Sequence, residues 1–351
     1  MSDIFIRKEG KAGRITLTRP HALNALSYKM CLAVDAALIE WASDDDVQLI
    51  LIDAEGEKAF SAGGDIAELY EAGTRGNYIY GEDFWRDEYR MNARLHTYLK
   101  DTGKPVVSFL QGFTMGGGMG LGCHGSHRIV GESSRIAMPE CAIGLVPDVG
   151  SSLILANAPG HLGEFVGLTG YRMGSADAIY VGFADTFISE TKWDGLKKAL
   201  VDTGDIDTLD TLAQDRIAEQ LVTLEAEIDR IFSHETLLEI AGELGKACAP
   251  FFETPARTFA KNSPLAMACA LRIIRDIRKR PTIHEALEME YRYTSRAMEK
   301  SDFLEGIRAA VIDKDRSPSW RYGLHDIPQE KIDAMLAPKN DQTLTFEGDM
   351  P

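Results

Sequence analysis

The chain has 351 residues, with 38 Lys and Arg against 54 Asp and Glu, a formal net charge of −16. Hydrophobic residues make up 44% and charged residues 26%, a globular balance in a chain long enough for a large core, which excludes a mostly disordered protein. The acidity argues against broad binding to nucleic acid or anionic membranes, because phosphate surfaces are held by Lys and Arg fields; it leaves room for a local basic pocket.

Residues 4–7 and 14–17 alternate about a turn at 10–13 and predict a hairpin, with Pro20 ending the second strand. Ser27 caps a helix to about Ala42, with Met30, Val34, Leu38 and Trp41 at helical spacing. Residues 47–52 form a short apolar run, expected to be a buried strand. A loop at 55–64 leads into a helix near 65–72, residues 76–81 interrupt, and 83–99 are again helical. Residues 105–110 predict a second buried strand, 112–125 are rich in glycine, and 128–130 and 135–137 predict short strands. This alternation argues α/β architecture with a mainly parallel sheet. From about Asp185 the strand signal fades, and the acidic, turn-rich stretch 202–210 is a candidate boundary. Amphipathic helices are expected over 217–232, 265–280 and 283–298, the last two separated by Pro281. The organisation that follows is a core at 1–200, a helical C-terminal portion at 201–336 and a polar tail at 337–351 expected to fray.

The cysteines (Cys31, Cys123, Cys141, Cys248, Cys269) form no CxxC pair, so they read as reduced core thiols and not as a zinc cage or disulfide framework. No apolar run approaches the roughly 20 residues of a membrane span. The first residues carry neither an apolar signal core nor an Arg- and Ser-rich helix, and a cytoplasmic location is expected. His124 and His127, three apart, have no third ligand or HExxH pattern beside them and read as structural, so no metal site is expected. No serine stands in a GxSxG elbow, which leaves a hydrolase triad without support.

The densest signal is the run from Thr114 to Gly125, with glycines at 116, 117, 118, 120, 122 and 125. One reading is a packing or turn segment. A second is a dinucleotide loop, since Gly120, Gly122 and Gly125 satisfy GxGxxG; but that motif must follow a strand directly, and the strand expected here ends roughly ten residues earlier. The third is an oxyanion hole, in which backbone N–H groups face a carbonyl oxygen that gains negative charge. A second glycine loop, Ala62-Gly63-Gly64, follows the other buried strand, and two such loops at one sheet edge would bring two N–H groups to one oxygen. Asp65 would favour the N-terminus of the helix it precedes.

The pair AFSAGGDI (59–66) and GFTMGGGMGLG (112–122) resembles the crotonase, or enoyl-CoA hydratase/isomerase, superfamily. Asn24-Ala25-Leu26 and the run from Ser175 to Asp185 resemble other landmarks of that family. The resemblance implies an α/β crotonase-like fold of repeated ββα units, with a helical C-terminal portion over the site. It implies an acyl-CoA substrate, with coenzyme A as part of that substrate and no separate cofactor. Gly64 and Gly117 N–H groups would hold the thioester oxygen, and Asn24, Ala25, Leu26, Ala62, Gly63 and Gly116 would line the substrate path. A homo-oligomer is left open.

The acids decide the branch. Hydratases of the family carry one glutamate three residues after the middle glycine of GGG, where this chain has Gly120, and another in a Pro-Glu pair, here Pro139-Glu140. Losing one of two acid/base groups counts against water addition. Instead, MPECAIGLVPDVG (138–150) brings Asp148 and resembles a block of the 3-hydroxyisobutyryl-CoA hydrolase branch, as do FWRDEYR (84–90), GSHR (125–128) and SDFLEGIRAAVIDKD (301–315) with Pro318 and Trp320. This implies hydrolysis of a short β-hydroxyacyl-CoA thioester. Glu140 would cleave it as nucleophile or general base, Asp148 would bind the acyl hydroxyl or orient the attacking group, and Glu88 would contact substrate. Apart from the resemblance, Glu140 reads as a strand-end acid, Asp148 as a turn acid and Glu88 as part of a salt-bridged face with Arg86, Asp87 and Arg90. Arg308 and Lys314 are candidates for the coenzyme A phosphates or for a solvated surface. Cys141 and Ser151 depart from the branch's usual Thr and Gly, and the stretch 88–105 is about one helical turn longer than usual for it; these changes lie near the expected acyl pocket. The rivals are an enoyl-CoA hydratase or isomerase and a non-catalytic acyl-CoA-binding relative.

Overall fold

In the computed structural model, which describes residues 3–216, 219–339 and 344–346, the chain builds two sheets. β1 (Ile4–Glu9) and β2 (Ala12–Leu17) form the expected hairpin. Three ββ pairs follow: β3 (Leu49–Ala54) with β4 (Ala59–Ser61), β5 (Val106–Phe109) with β6 (Phe113–Met115), and β7 (His127–Val130) with β8 (Arg135–Ala137). β9 is Thr186–Phe187. The first member of each pair joins a six-stranded sheet, β1-β2-β3-β5-β7-β9, and the second joins a three-stranded parallel sheet, β4-β6-β8. Every neighbour in the larger sheet is parallel except β1 and β2. The repeated pairs, each leading into helix, match the expected crotonase-like pattern.

Strand periodicity splits the core into two layers. Ile50 and Ile52 of β3 join the main core, while Leu49 and Leu51 pack with Val107, Phe109, Ile129 and Trp193 on the opposite face. All four β3 side chains are fully buried, consistent with a parallel sheet covered on both faces.

The first helices are α1 (Tyr28–Ala42), α2 (Ile66–Thr74), α3 (Tyr78–Thr102) and α4 (Gly117–Gly122). Ser27 Oγ accepts from Met30 N at 3.3 Å, the expected cap. α3 corrects the break expected at 76–81: it begins at Tyr78 and runs through Gly81. A Cβ there would lie 2.2 Å from Met298 Sδ and 2.9 Å from Trp85, so glycine permits a close helix crossing at its usual helix cost of about 1 kcal/mol.

Next come α5 (Ser151–Asn157), α6 (Leu162–Thr169), α7 (Ser175–Val181) and α8 (Trp193–Thr203). α8 covers the outer face of the larger sheet, and Leu209 of the turn-rich stretch 202–210 is buried in the same layer. The rest are α9 (Glu219–Phe232), α10 (Leu237–Leu244), α11 (Glu253–Phe259), α12 (Pro264–Lys279), α13 (Ile283–Lys300), α14 (Phe303–Ile307) and α15 (Gln329–Leu336). Ile217, the expected start of α9, lies outside the described residues. α13 packs along α3, so the late helices share one apolar core with the sheets, from Ile15 to Leu344. The tail departs from the fraying expected of it: Leu344 is buried, and Phe346 stacks on His284 with centroids 4.4 Å apart. These are two apolar side chains in a mostly polar segment; residues 340–343 and 347–351 lie outside the described residues. Among the described residues no helix is long and apolar enough to cross a membrane.

Candidate active site

The parallel pairing of β4 with β6 aligns Ala59 with Phe113 and Ser61 with Thr114, so the two glycine loops leave the same edge. Gly63 (φ 115°) and Gly116 (φ 49°) occupy backbone space that favours glycine. The loops touch: a Cβ on Gly117 would stand 3.2 Å from Gly64 N. Leu26 bridges to Gly64 through Leu26 N to Gly63 O and Asp65 N to Leu26 O, both 2.8 Å, a pattern that does not use the Gly64 amide. Gly117 opens α4, where the N–H has no acceptor within the helix.

Three acids face these loops across a cavity of about 240 Å³. Glu140 opens the turn Glu140–Ile143 just after β8, Glu88 comes from α3, and Asp148 from the turn before α5. Their relative exposures are 5%, 3% and 4%, so all three are desolvated. Glu140 Oε1 lies 3.0 Å from where Gly116 would carry a Cβ, and Glu88 Oε1 lies 2.7 Å from the same point on Gly117. Glu140 Oε2 and Glu88 Oε1 have no hydrogen-bond partner among the described residues. Asp148 Oδ2 accepts from Tyr89 Oη at 2.8 Å, and Tyr89 Oη lies 3.3 Å from Thr294 Oγ1.

Burial, and then the charge of Asp148, hold the Glu88 and Glu140 carboxyls well above the usual range. Burial also lifts Asp148 to about 7, against the Tyr89 hydrogen bond that favours its anion. A fourth buried acid stands behind: Glu290 of α13, raised by burial to about 8, accepts from Gly150 N (2.7 Å), Ser152 N (3.0 Å) and Ser152 Oγ (2.5 Å). The salt-bridged face expected around Glu88 is elsewhere on the helix: Arg86 pairs with Asp83 and Asp87, while Glu88 points inward.

Gly120 lies under the acid turn. A Cβ there would be 2.7 Å from Val149 Cβ and 2.8 Å from Asn92 Nδ2, so a glutamate has no room. Asn24 spends its side chain on backbone, donating to Glu55 O and Ala59 O and accepting from Arg19 N, and neither it nor Ala25 nor Leu26 lines the acid-faced cavity. Ala62 and Gly63 do line it. Asp65 precedes α2 without capping it, its carboxylate held by Arg19 at 2.8 Å. Arg308 is engaged by Glu305, Asp313 and Asp315, which more than offset its charge, and Lys314 is exposed, next in sequence to two of those acids.

Sequence reasoning missed Tyr89, Glu290 and the covering residues Phe303, Ala310 and Val311. Glu290 did leave a trace: it is an acid on the apolar face of α13, among Leu287, Tyr291 and Thr294. Tyr89 lies in the block 84–90 that carries part of the resemblance, but nothing local pointed to its partner, 59 residues away.

Paired sheets with two touching glycine loops at one edge make a crotonase-type fold. The chain belongs to the enoyl-CoA hydratase/isomerase family, whose model matches residues 12–336. A mitochondrial 3-hydroxyisobutyryl-CoA hydrolase of Danio rerio is 40% identical, over 91% of this chain and 85% of its own. Its Gallus gallus counterpart is 35% identical, over 98% and 91%. A solved enoyl-CoA hydratase of Rhodobacter sphaeroides 2.4.1 superposes with a TM-score of 0.92 at 51% identity, over 98% of this chain and all of that one. A carnitinyl-CoA dehydratase of Mycobacterium thermoresistibile gives 0.93 at 35%, over 99% and 100%. The mitochondrial designation of the two hydrolases overturns the cytoplasmic expectation. Charge and hydropathy describe solubility, which does not distinguish one aqueous compartment from another.

Proposed function

We propose that this protein hydrolyses the thioester of a short β-hydroxyacyl-CoA, 3-hydroxyisobutyryl-CoA of valine breakdown, releasing coenzyme A. The observation that carries the reading is the pairing of an acid set with a filled vacancy. Glu140 and Asp148 line the cavity, while the position of the second hydratase glutamate is Gly120, closed by Val149 and Asn92. Water addition across a double bond needs both water activation and proton delivery, normally shared by two groups.

The Gly64 and Gly117 amides bind the thioester oxygen and stabilise the charge it gains when the carbonyl carbon is attacked. Glu140 supplies the attack in one of two ways. Its carboxylate oxygen bonds to the carbon, the C–S bond breaks, coenzyme A leaves as a thiolate that takes a proton, and water then cleaves the acyl anhydride. Alternatively Glu140 takes a proton from a water that attacks directly. Both routes end in the carboxylic acid and the thiol. Asp148, beside Tyr89, receives the acyl hydroxyl. Side chains and amides suffice for this chemistry, and coenzyme A enters only as part of the substrate.

Hydration of an enoyl-CoA has the likeness to the 51% identical Rhodobacter sphaeroides hydratase on its side and Gly120 against it. The test is free-thiol release from 3-hydroxyisobutyryl-CoA beside crotonyl-CoA, for wild type and Glu140→Gln. Thiol release from the first, falling about 10²–10⁴-fold in the variant, supports the hydrolase. Loss of the crotonyl double bond without thiol sinks it, and binding of both without turnover leaves a non-catalytic relative.

A further inference from the structure

We infer that Glu290 and His124 are positioning residues, which hold the backbone of Asp148-Val149-Gly150 in a strained form and thereby aim the Asp148 carboxylate into the acid-lined cavity. The inference rests on the functional reading above for the role of Asp148, and goes beyond it in assigning how that acid is held.

The strain is at Val149. Its φ is 54°, in the left-handed region, which a β-branched side chain disfavours. Gly150 follows at φ 81°, so two successive residues turn the wrong way for L side chains. Such geometry persists only where the surroundings over-determine it. Two side chains from distant elements do so here. His124 Nε2 stands 2.6 Å from Val149 O. A carbonyl only accepts, so this nitrogen carries the proton. Burial keeps the ring neutral, with its pKa lowered to about 3. Glu290, fully buried, accepts from Gly150 N, Ser152 N and Ser152 Oγ.

The clamp joins the two walls of the cleft. His124 lies two residues past the end of α4, the helix that Gly117 opens. Val149 rests on Gly120 of the same helix, where even a methyl group would meet it at 2.7 Å. Glu290 comes from α13, 140 residues away from Gly150 in sequence. Asp148 itself has one side-chain partner among the described residues, Tyr89 Oη. That bond and a hydrogen bond with backbone at Asp148 itself orient the buried carboxylate, so its direction follows the backbone on which Val149 and Gly150 are pinned.

The experiment is a double-mutant cycle in thiol release from 3-hydroxyisobutyryl-CoA, using the full chain as wild type, Asp148→Asn, Glu290→Gln and the double variant, with melting curves for each. Gln keeps the shape of Glu290 but turns an N–H₂ toward backbone donors. Glu290→Gln is expected to lose about 10- to 100-fold in kcat with KM little changed. Added to Asp148→Asn it should lose little more, because a misaimed acid and a missing one are equivalent. Ser152→Ala removes one bond to Glu290 while leaving every acid in place, and should show a smaller loss in kcat with only a small drop in melting temperature. It keeps the test alive if Glu290→Gln fails to fold. Losses that multiply in the double variant, or wild-type kcat in Glu290→Gln or Ser152→Ala, overturn the positioning role while leaving Asp148 in the reaction. Wild-type turnover in Asp148→Asn overturns both the positioning role and the reading of Asp148 on which it rests.

Discussion

The glycine-loop wall and the acid wall of the cleft differ in how far along the chain their parts lie and in what they cost to hold. Gly64 and Gly117 sit on loops that leave one pair of parallel strands, and main-chain hydrogen bonds fix them locally. A backbone amide needs no desolvation of charge to be useful. The acids come from α3, from the turns that follow β8, and, behind them, from α13. They are buried, mutually repelling and, at Glu88 and Glu140, short of hydrogen bonds. One wall is therefore near its own optimum, while the other is held against its preference by the fold around it. That is where reactivity is expected, since a carboxylate that resists ionisation in place becomes a stronger base once ionised.

After the loss expected of Glu140→Gln, breaking the amide wall should give the next largest effect. A methyl on Gly117 would press on Glu88 Oε1 at 2.7 Å and crowd Gly64 N at 3.2 Å. Gly117→Ala should lower kcat for thiol release about 10²–10³-fold while binding of coenzyme A itself changes little. Near-wild-type turnover would remove the two amides from the oxyanion role.

The acid wall can be sharpened by its pH dependence. Burial, then the Asp148 charge, raises the Glu140 pKa; in the proposed reaction Glu140 must be ionised to attack or to take a proton. Turnover should therefore rise with pH through that raised value. Asp148→Asn removes the like charge, so the acid limb of its remaining kcat/KM profile should move to lower pH. A limb that stays in place would show that Asp148 and Glu140 do not couple.

The smallest effect is on stability. The Glu88 pKa is raised on folding, so the folded state binds its proton more tightly than the unfolded one does. Its contribution is fully present below the unfolded value of about 4.3 and is lost as pH rises toward the folded one. Glu88→Gln removes that loss. Its melting temperature should exceed wild type by about 1–3 °C at pH 8, with a smaller gain near pH 4.5. A lower melting temperature at pH 8 would mean that Glu88 is satisfied in the fold and that the contrast between the walls fails there.

By itself the sequence determined what depends on short stretches of chain. The hairpin, the buried strands, the Ser27 cap, the helices at 264–279 and 283–300 and both glycine loops are local in cause, because glycine's backbone freedom, capping and periodicity act over a few residues. Glu140 and Asp148 stood out through the blocks that contain them. Tertiary structure decided the rest. It turned Glu88 away from its salt-bridged neighbours, carried α3 straight through Gly81 against Met298, engaged Arg308 with three acids and set Asp65 on Arg19. It also brought Tyr89 and Glu290 to the acid turn. Each of these outcomes is fixed by a partner distant in sequence or by loss of water, and neither desolvation nor a long-range contact leaves a period or a spacing in the chain to be read.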